Sequence, residues 1–197
     1  TYSRHPQDDF NLAAKRPRVV ETLRHEYDKW WDSISPGFAV HERMVVGNDA
    51  ENPAHLTGHD WLADSDNASP WHQGKIRAAK PSEGGWAIRV EQSATYVISL
   101  RRWPRELSHP INADLAPGAA VPGLNAFRET PGKGLGATKA TLKIGNLTRT
   151  KPIVDGAEEI RFTLELEEDD YLLEGIFHSD NESGMRIGAY YAVIERL

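Results

Sequence analysis

A chain of 197 residues with six Trp, no Cys and a formal net charge of −6 is long enough to bury one core, or one core and an appended element. Without Cys there is no disulfide, no thiolate metal site and no cysteine nucleophile, and no apolar run approaches the roughly 18–20 residues of a membrane-spanning helix. The acidic balance argues against generic nucleic-acid binding, which rests on phosphate neutralisation by clustered Lys and Arg.

The first predicted element is a helix. Pro17 suits a first-turn position, where its missing N–H is not needed. From there Val20, Leu23, Tyr27, Trp30 or Trp31, and Ile34 recur at helical spacing. Arg24 and Asp28 stand as an i,i+4 pair on the outer face, and Pro36-Gly37 stops the run. The result is one amphipathic helix with an aromatic last turn, and Trp30 and Trp31 are expected to fill a groove.

Residues 5–31, HPQDDFNLAAKRPRVVETLRHEYDKWW, carry a more specific pattern. Pro6, Asp8, Asn11, Leu12, Ala13, Pro17, Val19, Val20, Leu23, Tyr27, Trp30 and Trp31 stand in register with a turn-and-helix of the form Asp-Pro-x-Glu-x-x-Asn-Leu-Ala followed by Pro-x-Val-Val-x-x-Leu-x-x-x-Tyr-x-x-Trp-Trp. This resembles the closing segment of arylsulfatase-type sulfatases, with His5 in the usual Asp position and Asp8 for Glu. The resemblance implies a parent enzyme that hydrolyses sulfate esters with formylglycine and calcium, working in the periplasm or outside the cell. Formylglycine arises from Cys or Ser within Cys/Ser-x-Pro-x-Arg. Here Ser108-His109-Pro110 has Asn112 where that motif needs Arg, so no catalytic residue is assigned to this chain. A start at Thr1 is what a fragment or processed chain is expected to show.

Beyond Gly37 the period changes to two. Arg43 to Val46 is a short apolar strand. Trp86, Ile88 and Val90 alternate with Ala87 and Arg89, and Tyr96 to Leu100 continues the pattern after Glu91-Gln92-Ser93-Ala94, which predicts a hairpin. Ala140, Leu142 and Ile144, then Ile160, Phe162, Leu164 and Leu166, mark two more half-buried strands. Tyr171 to Phe177 and Ile187 to Ile194 follow, separated by a polar turn over residues 179–184. Residues 47–74 and the Pro-rich stretch 104–136 read as long loops, which in a compact domain tend to be functional. Several short strands between turn signals predict a mainly β fold: an antiparallel, jelly-roll-like sandwich preceded by one amphipathic helix. The division falls into residues 1–37 and 38–197.

The strand sequences Gly85-Trp86-x-Ile88-x-Val90, Tyr96-x-Ile98-x-Leu100-Arg101, Ala140-x-Leu142-x-Ile144 and Gly188-Ala189-Tyr190-Tyr191-x-Val193 together resemble a carbohydrate-binding-module jelly roll over residues 70–197.

Four chemistries can be weighed. His55-x-x-x-His59-Asp60, with His72, has the spacing of a metal site, but Pro53 and Gly58 oppose the helix such a site needs, so packing histidines are expected and no metal is assigned. The loop Pro131-Gly132-Lys133-Gly134-Leu135-Gly136 lacks the Gly-Lys-Ser/Thr ending of a phosphate loop. Ser108-His109 has no nucleophile-elbow context. Trp71, His72, Arg101 and Trp103 set rings beside hydrogen-bond donors, as a sugar's apolar face and its hydroxyls or sulfates require. These four form the predicted glycan site, set against a simpler role for the Trp rings in capping the sandwich core.

The expected function is therefore a non-catalytic C-terminal region that packs on a sulfatase catalytic domain of the same polypeptide and shapes or targets substrate binding. The alternative is a module that binds a carbohydrate or sulfated glycan by itself.

Overall fold

A computed structural model of the protein describes residues 11–63, 70, 72–123, 130–179 and 184–197. The chain falls into two compact units, Thr1–His41 and Glu42–Leu197. Residues 5–10 of the sulfatase-like pattern lie outside the described residues, as does Trp71.

In the first unit a 3-10 turn, Ala13–Lys15, leads into helix α1 (Pro17–Ile34). Pro17 takes the first helical position and Pro36, lacking an N–H, lies in the 3-10 turn Ser35–Ala39 that ends the run. The last turn is aromatic. Tyr27 stacks on Trp31 with ring centres 6.1 Å apart, Trp30 tilts against both, and Phe38 meets Trp31 edge-on at 5.3 Å. No residue of α1 is buried, and Leu23, Tyr27 and Trp30 each stay more than half exposed. Among the described residues its surface carries an ion pair of Lys29 with Glu26 at 3.0 Å, in place of the expected Arg24 with Asp28.

The second unit is a β-sandwich. In chain order its strands are β1 (Met44–Val46), β2 (Ala54–Thr57), β3 (Trp61–Leu62), β4 (Gly85–Val90), β5 (Ala94–Arg101), β6 (Lys139–Ile144), β7 (Leu147–Pro152), β8 (Glu159–Leu166), β9 (Asp169–His178), β10 (Arg186–Gly188) and β11 (Tyr191–Arg196). A short helix, α2 (Gln73–Ala78), lies between β3 and β4. The larger sheet runs β1-β4-β9-β6-β7, with β3 beside β4 and β10 beside β9; the smaller runs β2-β11-β5-β8. Pairing is antiparallel except for β1 with β4.

Alternation drives the two sheets together. Ile160, Phe162, Leu164 and Leu166 of β8 point inward, as do Tyr96, Ile98 and Leu100 of β5, and Ala140, Leu142 and Ile144 of β6. At the centre the gap is closed by a glycine. A Cβ at Gly175 of β9 would lie 2.7 Å from a methyl of Leu100 in the facing sheet.

Two strand expectations are corrected. β4 and β5 do not form a hairpin, because β4 joins the larger sheet and β5 the smaller. Either arrangement turns both apolar faces toward one core, so alternation cannot separate them. The crossing is held by Glu91 N–H donating to Val46 O (3.1 Å) and Tyr96 Oη donating to Gln92 O (2.7 Å). Likewise Ile187 to Ile194 is not one strand. It changes sheet between β10 and β11, where Gly188 N–H donates to Ser82 O (2.7 Å) and Ala189 N–H to Gly175 O (2.8 Å). The stretch 47–74 also contains β2, β3 and the start of α2, which pattern alone did not show.

Gly188 sits against an aromatic stack: Trp61 lies parallel to Tyr190 at 5.4 Å and edge-on to Trp86 at 5.8 Å. A Cβ at position 188 would come within 2.2 Å of the Trp61 ring, whereas one at Gly136 would meet nothing within 4 Å. Gly188→Ala is therefore expected to destabilise the sandwich by about 1–3 kcal/mol through overpacking. Gly136→Ala should leave thermal unfolding nearly unchanged, and equal midpoints for the two variants would contradict the packing described.

Candidate functional site

The residues predicted to hold a glycan are placed very differently from one another. Trp71 lies outside the described residues. His72 is exposed and caps α2, its Nδ1 accepting from Gly74 N–H at 3.0 Å. Arg101 and Trp103 are both buried, Arg101 beside a cleft on the outer face of the β2-β11-β5 sheet. The Arg101 guanidinium meets Glu159 at 3.1 Å and Glu158 at 3.6 Å, and donates to Leu107 O at 3.3 Å. Trp103 is 1% exposed and its Nε1–H donates to Pro110 O at 3.2 Å. Strand β5 ends at Arg101, so the pair does not share an outward face as a continued strand would dictate. These two residues pack the sandwich end, which corrects their assignment to an open sugar platform.

Between them sits Arg102, fully buried with no carboxylate among its hydrogen-bond partners. Its Nη1 donates to Ile111 O (3.2 Å) and Ala113 O (3.4 Å), and its Nη2 to Lys133 O (2.6 Å) and Ile76 O (3.4 Å). The guanidinium also lies 4.2 Å above the Trp103 ring centre, a cation–π contact. Burial pushes its pKa down to about 10, so it stays charged at neutral pH. The glycine-rich loop is thus structural: the Lys133 carbonyl holds Arg102, and Lys133 N–H donates to Arg77 O at 2.8 Å.

The remaining candidates also have structural partners. His55 Nε2 abuts the Arg105 guanidinium, and its pKa is lowered first by burial and then by that charge. His109 Nε2 pairs with Asp114 O at 2.6 Å while its ring meets Trp103 edge-on. Among the described residues no group of three His, Cys, Asp or Glu side chains is placed to hold a metal ion.

Two open clefts among the described residues lie beside the sequence candidates. The smaller, about 170 Å³, lies on the outer face of the β2-β11-β5 sheet, between His55, Thr57, Tyr191, Val193 and the Pro104–Glu106 turn. Tyr191 is held there by Gln73 Nε2, which donates to its hydroxyl at 2.6 Å, and burial raises its pKa. The larger, about 620 Å³, is lined by residues of α2 and by the chain that leaves it, with Pro70 and His72 on the approach. Tyr190, the neighbour of Tyr191, points the other way and pairs its hydroxyl with Ser82 Oγ at 3.1 Å in that cleft's wall. Sequence reasoning missed these residues. The adjacent Tyr190-Tyr191 was the available signal: Tyr190, in the bend before β11, is buried, and Tyr191 opens that strand on its outer face.

The fold and these clefts define a β-sandwich domain with an appended amphipathic helix. Neither the protein-family models nor the curated proteins compared with this sequence give a match.

Arg102→Met should strand several buried carbonyls and lower stability by at least about 3 kcal/mol in chemical denaturation. Arg102→Lys should recover little, because a single ammonium cannot span carbonyls from three chain segments. An unchanged denaturation midpoint would show that the buried fork is dispensable.

Proposed function

We propose that this chain is the non-catalytic C-terminal region of a sulfatase, docking on the catalytic domain of the same polypeptide through α1. The observation that carries this reading is the exposed aromatic stripe of that helix. Leu23, Tyr27, Trp30 and Trp31 lie on an amphipathic helix without one buried residue, in the segment that resembles the end of arylsulfatase-type enzymes. Large exposed apolar patches mark interaction surfaces, and aromatic residues dominate the energetics of such contacts.

The cofactors that the resemblance implies do not fit this chain. Formylglycine needs a Cys or Ser followed by Pro and Arg, whereas Asn112 stands at the Arg position and its side chain is paired with the Ala137 backbone at 2.9 and 3.1 Å. Calcium needs several carboxylate ligands together, and no such group is found among the described residues. On this reading both belong to the parent enzyme, which acts in the periplasm or outside the cell.

A second reading is glycan binding by the sandwich itself. It is favoured by the two clefts, which combine aromatic or proline surface with hydroxyl, amide and cationic groups. Of the residues first expected there, His72 lines the larger cleft and Arg101 the smaller, while Trp71 lies outside the described residues.

The purified chain should not hydrolyse a chromogenic aryl sulfate above a heat-treated control; turnover would remove the non-catalytic reading. Replacing Trp30 and Trp31 with Ala should leave unfolding of the isolated chain within about 0.5 kcal/mol, because exposed positions contribute little. The same change in the full-length polypeptide should destabilise docking by about 3–5 kcal/mol, as buried aromatic deletions do. An unchanged full-length midpoint, or upstream coding sequence without Cys/Ser-x-Pro-x-Arg, would overturn the proposal.

A further inference from the structure

We infer that the cleft between α2 and the Lys80-Pro81-Ser82 segment binds an anionic sugar, one carrying a carboxylate or a sulfate. The inference deepens the glycan-binding reading and rests on it. Four observations support it.

The cleft has the size of a small-molecule site. Its volume of about 620 Å³ falls within the roughly 300–1,000 Å³ typical of such pockets. Its described lining carries positive charge. Lys75 and Lys80 line it, with His72 beside them, and no carboxylate is among its described lining residues although the chain carries −6 overall. An anion approaching an otherwise acidic surface is drawn to this place.

The lining has two kinds of surface. Pro70, Ala78 and Pro81 offer apolar faces to the C–H side of a sugar ring, and Ser82 offers a hydroxyl. Ser82 is oriented from behind by Tyr190, which is fully buried and keeps its phenolic proton because burial raises its pKa. Either hydroxyl can donate in this pair, and when Tyr190 does, the Ser82 proton is left for a ligand oxygen.

The backbone that presents the lysine is strained. Ala79 ends α2 in the left-handed region at φ +52°, a conformation that favours glycine. The turn reverses the chain after Ala78, so that Lys80, Pro81 and Ser82 line the same cleft as Lys75 of the helix. Strain held at such a point is a recurrent mark of ligand sites.

The test is calorimetric titration of the whole chain with four probes: a sulfated disaccharide, a uronic-acid disaccharide, a neutral disaccharide and inorganic sulfate. The wild type should bind at least one anionic disaccharide about tenfold or more tightly than the neutral one. Lys80→Ala should weaken that binding roughly tenfold to a hundredfold, the loss of one charge-assisted hydrogen bond. Ser82→Ala should weaken it severalfold, and Arg149→Ala, on the exposed β7 edge, should not change it. Lys80 is exposed, so its removal leaves the fold intact, and thermal unfolding of each variant checks this.

Which acidic disaccharide binds decides between carboxylate and sulfate. Inorganic sulfate bound as tightly as the sugars would reduce the site to an anion hole and overturn the sugar assignment. Sugar binding that is indifferent to Lys80→Ala overturns this cleft while leaving glycan recognition elsewhere on the sandwich. No binding by the wild type removes the cleft and the glycan reading together, without touching the docking role of α1.

Discussion

The arrangement at the α2 end of the sandwich depends on one buried cation. Removing a guanidinium from water costs several kcal/mol, which is recovered only if its donors are met with good geometry. The Nη1 and Nη2 donors of Arg102 meet carbonyls from α2, from the stretch after Trp103 and from the glycine-rich loop. Its Nε–H alone has no hydrogen-bond partner among the described residues, and its flat face lies on the Trp103 ring. No hydrophobic side chain reaches so many backbone acceptors at once. The described residues of the 104–136 segment have little regular structure of their own, and this fork, with Asn112 pairing to the Ala137 backbone, ties them to the sheets. Because α2 is one of the segments held, the position of the larger cleft follows from the same interaction.

That constraint also explains the fate of a basic stretch in the sequence. Lys75, Arg77, Lys80, Arg89, Arg101, Arg102 and Arg105 look like a cationic patch when written in a line. In the fold Arg77, Arg101 and Arg102 are buried, Arg89 pairs with Asp170, and Arg105 pairs with Glu106. What lines the open cleft is Lys75 and Lys80. The distinction is chemical as well as spatial. A guanidinium's planar donors suit several carbonyls in a dry interior, whereas an ammonium is strongly hydrated and favours the surface.

The two units divide the proposed work. Helix α1 contributes apolar surface with no buried residue, which suits a docking element, while the sandwich has a continuous core from both sheets and carries the clefts. Tyr190 and Tyr191 link the core to those clefts, one ring stacked on Trp61 and the other hydroxyl held by Gln73.

How much of this was legible in the sequence depends on the range of the interaction concerned. Helix α1 was readable from Pro17 and the 3.6-residue spacing. Strands β6 and β8 were readable from strict alternation, because periodicity is set locally by which face is buried. Strand β7 was legible in principle from Gly145-Asn146, a two-residue turn with Gly145 at φ +52°, but its exposed residues carry no apolar alternation. The sheet to which β4, β5, β10 and β11 belong was not legible, since inward faces look alike whichever sheet they join. Nor was the burial of Arg101, Arg102 and Trp103. A charged or aromatic residue at a strand end is exposed or enclosed according to whether a distant segment brings carbonyls and carboxylates to it, and here Ile111, Lys133 and Glu159 do so. Local sequence determined the helix and the alternating strands through side-chain periodicity; only tertiary structure decided which cations became buried struts and which line an open cleft, because burial is settled by partners far along the chain.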